Sequence, residues 1–327
     1  MKQRGFIDLH LHLDGSLSLK TVRRLASEQN IPLPEDDDEL LNRLQVDPDC
    51  RDLNQYLEKF DLTCSLMQTE KAITTAVSDL CAALLEQGLL YAEIRFAPQL
   101  HTHGGLTQAQ VVQAAVDGLN VYPFPANLIL CCMRGDSNHK ENLETVEVAA
   151  QFLGRGVCAV DLAGAEALYH TDTFENLFRI IEGKNLPRTI HAGEACGPES
   201  VWKALEFGAT RLGHGVRSIE DPDLIGRLVE LGVTLELCPT SNLNTCVFEK
   251  LEDYPLLQLM EAGVAVTVNT DNITVSDVTL EQEMEKLANT FGLTDEHFKT
   301  LARNAVRASF TSAEQKELML AGIAVLA

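Results

Sequence analysis

Residues Ile7–Ser16 read IDLHLHLDGS, and the period of this stretch decides the fold. Apolar and polar residues alternate one by one, the pattern of a β-strand whose successive side chains point to opposite sides. Ile7, Leu9, Leu11 and Leu13 take one face, while Asp8, His10, His12 and Asp14 take the other. Two imidazoles on one strand face lie at a separation that a single ion can bridge. A buried histidine is nevertheless more often a hydrogen-bonded core residue than a ligand, so His10 and His12 need partners from elsewhere in the chain.

The same strand signal returns seven times, as LLYAEIRFAP (89–98), NLILCCMRG (127–135), VCAVDLAG (157–164), RTIHAGE (188–194), TRLGHGV (210–216), VTLELCP (233–239) and VAVTVNTD (264–271). Amphipathic stretches fill the intervals, among them 71–88, 142–156, 199–209 and 221–232. Gly88, Gly154, Gly208 and Gly232 stand where these stretches stop, as expected of glycines that close helices in the left-handed conformation. Thr279 and Gln282 have capping-box spacing and open a further helix after the last strand. Strand–helix repetition implies a parallel sheet, and eight units in this length imply a closed (β/α)8 TIM barrel. No Gly-x-Gly-x-x-Gly turn follows a strand, which disfavours an open dinucleotide-binding sheet. The interval from Ser16 to Gln87 exceeds one crossover and is expected to add helices over the barrel mouth. No linker or repeat divides the chain, so residues 1–327 read as a single domain.

Composition narrows the partners. A formal net charge of -22 disfavours nucleic acid and anionic membrane surfaces, which demand clustered Lys and Arg, and favours a neutral small molecule over a multiply charged phosphate ester. Nine cysteines without a C-x-x-C spacing read as reduced thiols, and the adjacent pair Cys131 and Cys132 as strand packing. With no leader or membrane span visible, a cytoplasmic location is expected. No residue pattern specifies an oligomeric state.

In a (β/α)8 barrel the chemistry sits at the C-terminal ends of the strands. His10, His12 and Asp14 close the first strand, Gly164 the fourth, His191 and Glu194 the fifth, His214 the sixth, and Asp271 and Asn272 the eighth. In the last strand, parity sends Thr267, Asn269 and Asp271 to the lumen and Val264, Val266 and Val268 to the helices. An aspartate buried at the mouth with no Lys or Arg near it in sequence would be a costly isolated charge, and a divalent cation removes that cost. Three histidines and a carboxylate suit zinc with an open position for water. His101, His103, His139, His170 and His297 lack matching partners and are expected at loop or surface positions.

The motifs HLHLDGS, DLAGAE, HAGE, RLGHG and NTDN, in this order, together with YLEKFD, YAEIRFAP and CCMR, resemble the adenosine deaminase family of amidohydrolases along essentially the whole chain. The resemblance implies one zinc ion per chain held by His10, His12, His191 and Asp271. It further implies attack of a zinc-activated water on C6 of a purine nucleoside, with Glu194 protonating N1, His214 orienting the hydroxide and Asp271 accepting its proton. His12 and Asp14 would border the ribose, Gly164 would offer its N–H to purine N3, and Asn272 would donate to N7. Adenine deaminases have Glu at the Asp14 position, so Asp14 implies a nucleoside rather than a free base.

Two positions depart from the family pattern. Asn272 stands where a second Asp is common, and its amide donates at any pH; Ala165 stands where an acid is common. The competing readings are a sister deaminase acting on adenine, a methylated purine nucleotide or another adenosine derivative, a two-metal amidohydrolase, and a binding protein without catalysis. The fourth strand has no lysine to bridge two metals, and the intact acid and ligands disfavour the non-enzyme. LEKFDLTCSLMQ (57–68) offers Leu57, Phe60, Leu62 and Leu66 as a lid.

Overall fold

The computed structural model describes residues 5–325. Eight parallel strands follow one another in chain order: β1 (Ile7–His12), β2 (Tyr91–Phe96), β3 (Ala126–Met133), β4 (Val157–Ala163), β5 (Thr189–Ala192), β6 (Arg211–His214), β7 (Thr234–Leu237) and β8 (Ala265–Val268). Each pairs with its neighbour in two runs, β1–β4 and β5–β8. Two seams close the runs into a barrel. At one, Val160 N donates to Pro187 O at 3.0 Å; at the other, His12 N donates to Asp271 O at 2.7 Å and Asp271 N to His10 O at 2.8 Å. The second seam therefore places the last predicted ligand directly beside the first two.

The expected helix boundaries hold. Gly88, Gly154, Gly208 and Gly232 all have positive φ, and the Thr279–Gln282 capping box is formed in both directions. The long interval after β1 contains four short helices, Leu19–Gln29, Asp37–Leu44, Leu53–Leu57 and Asp61–Leu66, before the crossover helix Glu70–Glu86. All nine cysteines are free thiols, and among the described residues no helix is long and apolar enough to cross a membrane.

One member of the expected polar row of β1 does not join the others. A register shift lies between Asp8 and Leu11, and the Asp8 carboxylate takes hydrogen bonds from Thr270 Oγ1 (2.6 Å), Thr270 N and His10 N rather than joining the histidines. Burial pushes its pKa up to about 7. Ile7 and Leu9 pack outward on Ala305, Val306 and Met319 of the last two helices.

Branched aliphatic side chains usually fill the inside of such a barrel. Here a charged lattice does. Arg95 of β2 reaches Asp161 of β4 (3.0 Å), Glu236 of β7 (2.8 Å) and Leu9 O of β1 (2.6 Å). Arg211 of β6 pairs with Glu236 (2.6 Å) and Glu93 (2.5 Å). All five side chains are buried, so each charge relies on the others in place of water.

Candidate active site

The barrel mouth gathers the residues singled out at the strand ends. His12 Nε2 lies 3.2 Å from His191 Nε2 and 3.4 Å from Asp271 Oδ1, and His10 Nε2 lies 3.5 Å from the same oxygen. Four ligand atoms about 2.0–2.1 Å from one tetrahedral zinc would be separated by roughly 3.3–3.4 Å. The three spacings His12–His191, His12–Asp271 and His10–Asp271 match that separation.

The donor set fits as well, because the far sides of the His10 and His191 rings are already committed. His10 Nδ1 lies 2.9 Å from Glu236 Oε2, and His191 Nδ1 makes a short, off-axis contact of 2.8 Å with Asp161 Oδ2. A carboxylate at Nδ1 fixes the proton there and leaves the Nε2 lone pair pointing into the cluster, as metal-binding histidines require. His10 Nε2 has no hydrogen-bond partner although it is fully buried. Burial lowers the pKa of His10 to about 4 and that of His12 well below its usual value, which keeps both rings neutral; burial acts the same way on His191 but Asp161 overrides it. Asp271 is held well below the usual carboxylate range: burial opposes this, and His10, His12 and His214 outweigh it. Cys238 Sγ is also close to His10 and Asp271, but burial keeps it a thiol, bonded to Glu236 O.

Two site residues are in unusual backbone conformations. His214 (φ 57°) and Asp271 (φ 60°) occupy the left-handed region, which costs a non-glycine residue about 1–3 kcal/mol and tends to accompany function. Gly213 leaves room for His10 and His191: a Cβ there would meet His10 Cε1 at 2.9 Å and His191 Cα at 3.2 Å.

Glu194 stands beside the cluster. Its Oε1 accepts from Asn242 Nδ2 and Thr245 Oγ1, each at 3.2 Å, and its Oε2 is 3.4 Å from His214 Nε2. Burial raises its pKa, the Asp271 and Glu166 charges add to this, and His214 opposes it. Tyr254 donates its hydroxyl to Asn242 Oδ1 (3.0 Å), so the Asn242 amide must donate to both Glu194 and His214 Nδ1 (3.1 Å). His214 then has its proton on Nε2, facing the site.

A cavity of about 560 Å³ opens above these groups, a volume suited to a small-molecule ligand. His12, Asp14, Gly164, Asp271 and Asn272 line it together with His191, Glu194 and His214. Asp14 Oδ1 and Asn272 Oδ1 are buried without partners, and burial raises the Asp14 pKa to about 6. Gly164 has φ +104°, which a side chain would strain. Of the four lid candidates, Leu57 and Phe60 line the cavity, whereas Leu62 and Leu66 pack into the core. Tyr56 and Cys64 from these helices and Gln68 just after them also line it, and Cys131 joins from β3.

Other expectations change. His101 is buried rather than superficial, with both ring nitrogens unpaired and its pKa lowered to about 4 by burial; His103 lines the cavity rim. Asp161, Glu236, Arg95, Asn242, Thr245 and Glu166 belong to the site's surroundings and were not singled out from the sequence. Charged residues inside the otherwise apolar strands YAEIRF, VCAVDLA and TLEL are the signal that could have found the first three.

A closed (β/α)8 barrel with an imidazole–carboxylate cluster at its C-terminal mouth, spaced for a metal ion, defines the class. Comparison with known proteins narrows it. The adenosine deaminase family model matches residues 6–325. The adenosine deaminase of Haemophilus ducreyi is 48% identical over 332 residues (99% of this chain, 96% of the relative), and that of Enterococcus faecalis 40% identical over 324 residues (98% and 96%). The solved adenine deaminase from Arthrobacter aurescens superposes with a TM-score of 0.87 at 28% identity, covering 98% of each chain. The chain belongs to the adenosine deaminase family.

Proposed function

We propose that this chain is an adenosine deaminase, converting adenosine and 2'-deoxyadenosine to inosine and 2'-deoxyinosine with release of ammonia, and that residues 1–327 act as one catalytic domain with one zinc ion. The observation that supports this best is the 3.2–3.5 Å convergence of His10, His12, His191 and Asp271 beside the buried Glu194. A zinc ion held by these four would supply Lewis acidity, bringing the pKa of water close to neutrality.

The chain's own groups do the rest. Glu194, whose pKa burial raises, delivers its proton to purine N1 and so makes C6 electrophilic. Asp271 takes the proton of the attacking water, and the Nε2–H of His214 faces the oxygen where negative charge develops. The proton held by Asp271 then passes to the C6 amino group, which leaves as ammonia while the C6 hydroxyl becomes the carbonyl of inosine and returns a proton to Glu194. Asp14 takes the ribose 5'-hydroxyl beside His12, the Gly164 N–H reaches N3, and the Asn272 amide donates to N7 at any pH.

A neutral nucleoside also suits the charge of -22 and the absence of a basic lining residue other than histidine among the described cavity residues. Nine free thiols fit a reducing compartment, so we place the enzyme in cytoplasmic purine salvage, with no nucleic acid or membrane partner.

The test is a substrate panel of adenosine, 2'-deoxyadenosine, adenine, AMP and N6-methyl-AMP, followed by the ultraviolet change on deamination. Turnover of the two nucleosides is expected to exceed that of the others, and a preference for adenine or a nucleotide would overturn the reading. Asp14→Glu should lower kcat/KM for adenosine by about 10- to 100-fold, the equivalent of one unsatisfied buried polar group, while affecting adenine less. Equal losses on both substrates would remove Asp14 from the sugar site.

A further inference from the structure

The loop that holds Glu194 is itself held by a second carboxylate. Glu166 follows β4 in the turn 164–168 and is 1% exposed. Its Oε1 accepts from Gly193 N (2.8 Å) and Ser200 Oγ (2.5 Å), and its Oε2 from Glu194 N (3.1 Å), Ala195 N (2.8 Å) and Cys196 N (2.9 Å). Four consecutive amides thus close around one side chain, a concave anion site of the kind that binds phosphates, filled here from within.

The cradle extends to a candidate metal ligand. Ser200 Oγ contacts Thr171 Oγ1 at 2.7 Å, and Arg134 Nη2 donates to Thr171 Oγ1 (3.0 Å) and to His191 O (2.6 Å). One buried chain of hydrogen bonds therefore runs from the carbonyl of His191 to the amide of Glu194. The side-chain contacts of Glu194 are longer, 3.2–3.4 Å, and leave its aim to its backbone. Gly193 (φ +73°) turns the chain out of β5 and needs an acceptor for its N–H, which Glu166 provides.

We propose that Glu166 is a positioning residue for the reaction: by collecting the amides of residues 193–196 it fixes the direction from which Glu194 meets the substrate. This rests on the deaminase reading for its kinetic consequence and on the hydrogen bonds alone for its structural one. Its effect belongs in the chemical step. A misaimed acid leaves nucleoside contacts such as Asp14 and Asn272 in place, so substrate still binds.

Glu166→Gln is the informative variant, because it keeps the volume and removes an acceptor oxygen and the charge. It is expected to lower kcat about 100-fold, the cost of roughly 1 Å of misplacement, with KM within threefold and the same metal content per chain. Amide hydrogen exchange of residues 193–196 should become at least tenfold faster. Should Glu166→Gln fail to fold, Ser200→Ala removes one of the five donors, and a threefold or larger loss in kcat at constant KM is expected.

An unchanged kcat in a folded variant, a rise in KM with kcat intact, or a fall in kcat that only follows lost metal would overturn the assignment. If the wild-type enzyme does not deaminate adenosine, the functional reading fails and exchange alone decides: protection of 193–196 lost in the variant supports the positioning role, and equal exchange refutes it.

Discussion

Replacing Glu194 by Gln should lower kcat for adenosine by about 10²- to 10⁴-fold, the range attributable to a positioned general acid. Gln is nearly isosteric, can still accept from Asn242 and Thr245, and leaves the four candidate ligands untouched, so metal content should not change. The same substitution should not destabilise the fold. Burial raises the folded pKa of Glu194 above its ordinary 4.5, so the folded state binds that proton more tightly than the unfolded chain does. Above pH 4.5 this costs stability, increasingly until Glu194 itself ionises, and a neutral Gln escapes the cost. A lower kcat with an equal or higher thermal midpoint near pH 7 is therefore expected. A variant that keeps a tenth of the wild-type kcat would remove Glu194 from the proton transfer.

Arg95→Met should be the most damaging single change to the fold, at about 3–5 kcal/mol, because it leaves Asp161 buried without an arginine partner and Glu236 with Arg211 alone. Arg95 is fully buried between Asp161 and Glu236, and these carboxylates touch His191 and His10 in turn. Loss of the cation is expected to weaken zinc binding by 10- to 100-fold as well, through disordered outer partners of the ligands. Arg43→Met is the control. Its pair with Glu39 spans 3.1 Å on the surface, where such pairs contribute about 1 kcal/mol or less. Burial opposes ionisation of Asp161 and Glu236, yet the adjoining His and Arg groups hold both pKa values low, so their stabilisation is present above pH 4–5 and fades as pH falls through the folded values. Urea midpoints at neutral and acidic pH measure both effects, and equal losses for Arg95→Met and Arg43→Met would contradict the account.

The strands and the clustering of the strand-end residues were legible for one reason. Parallel strands declare themselves by period and by glycine-closed helices, and the barrel topology then sends every strand end to the same mouth. That is how His10 and Asp271, 261 positions apart in sequence, could be grouped. What strand periodicity cannot convey is the partner on the far side of a side chain. Arg95, Asp161 and Glu236 stand in strands read as apolar, and their pairing became visible only when β2, β4 and β7 faced one another. Asp8 stands apart from the histidines because its carboxylate is taken by Thr270 and by the amide of His10, partners that strand parity does not reveal. His101 lies in a short turn, as a loop position allows, but its burial is not legible there because a turn residue has no period to betray it. Glu166 and Asn242 act through turn and short-helix backbone geometry, which no spacing rule encodes.

The central claim is that one cation sits where three imidazoles and a carboxylate meet, within reach of Glu194. Anomalous diffraction at the zinc edge, on crystals of the protein purified without added metal, tests it most directly. The account predicts a single strong peak about 2.0–2.2 Å from Nε2 of His10, His12 and His191 and from an Asp271 oxygen. A second peak of equal height beside it, or zinc bound elsewhere while this cluster holds none, would contradict it.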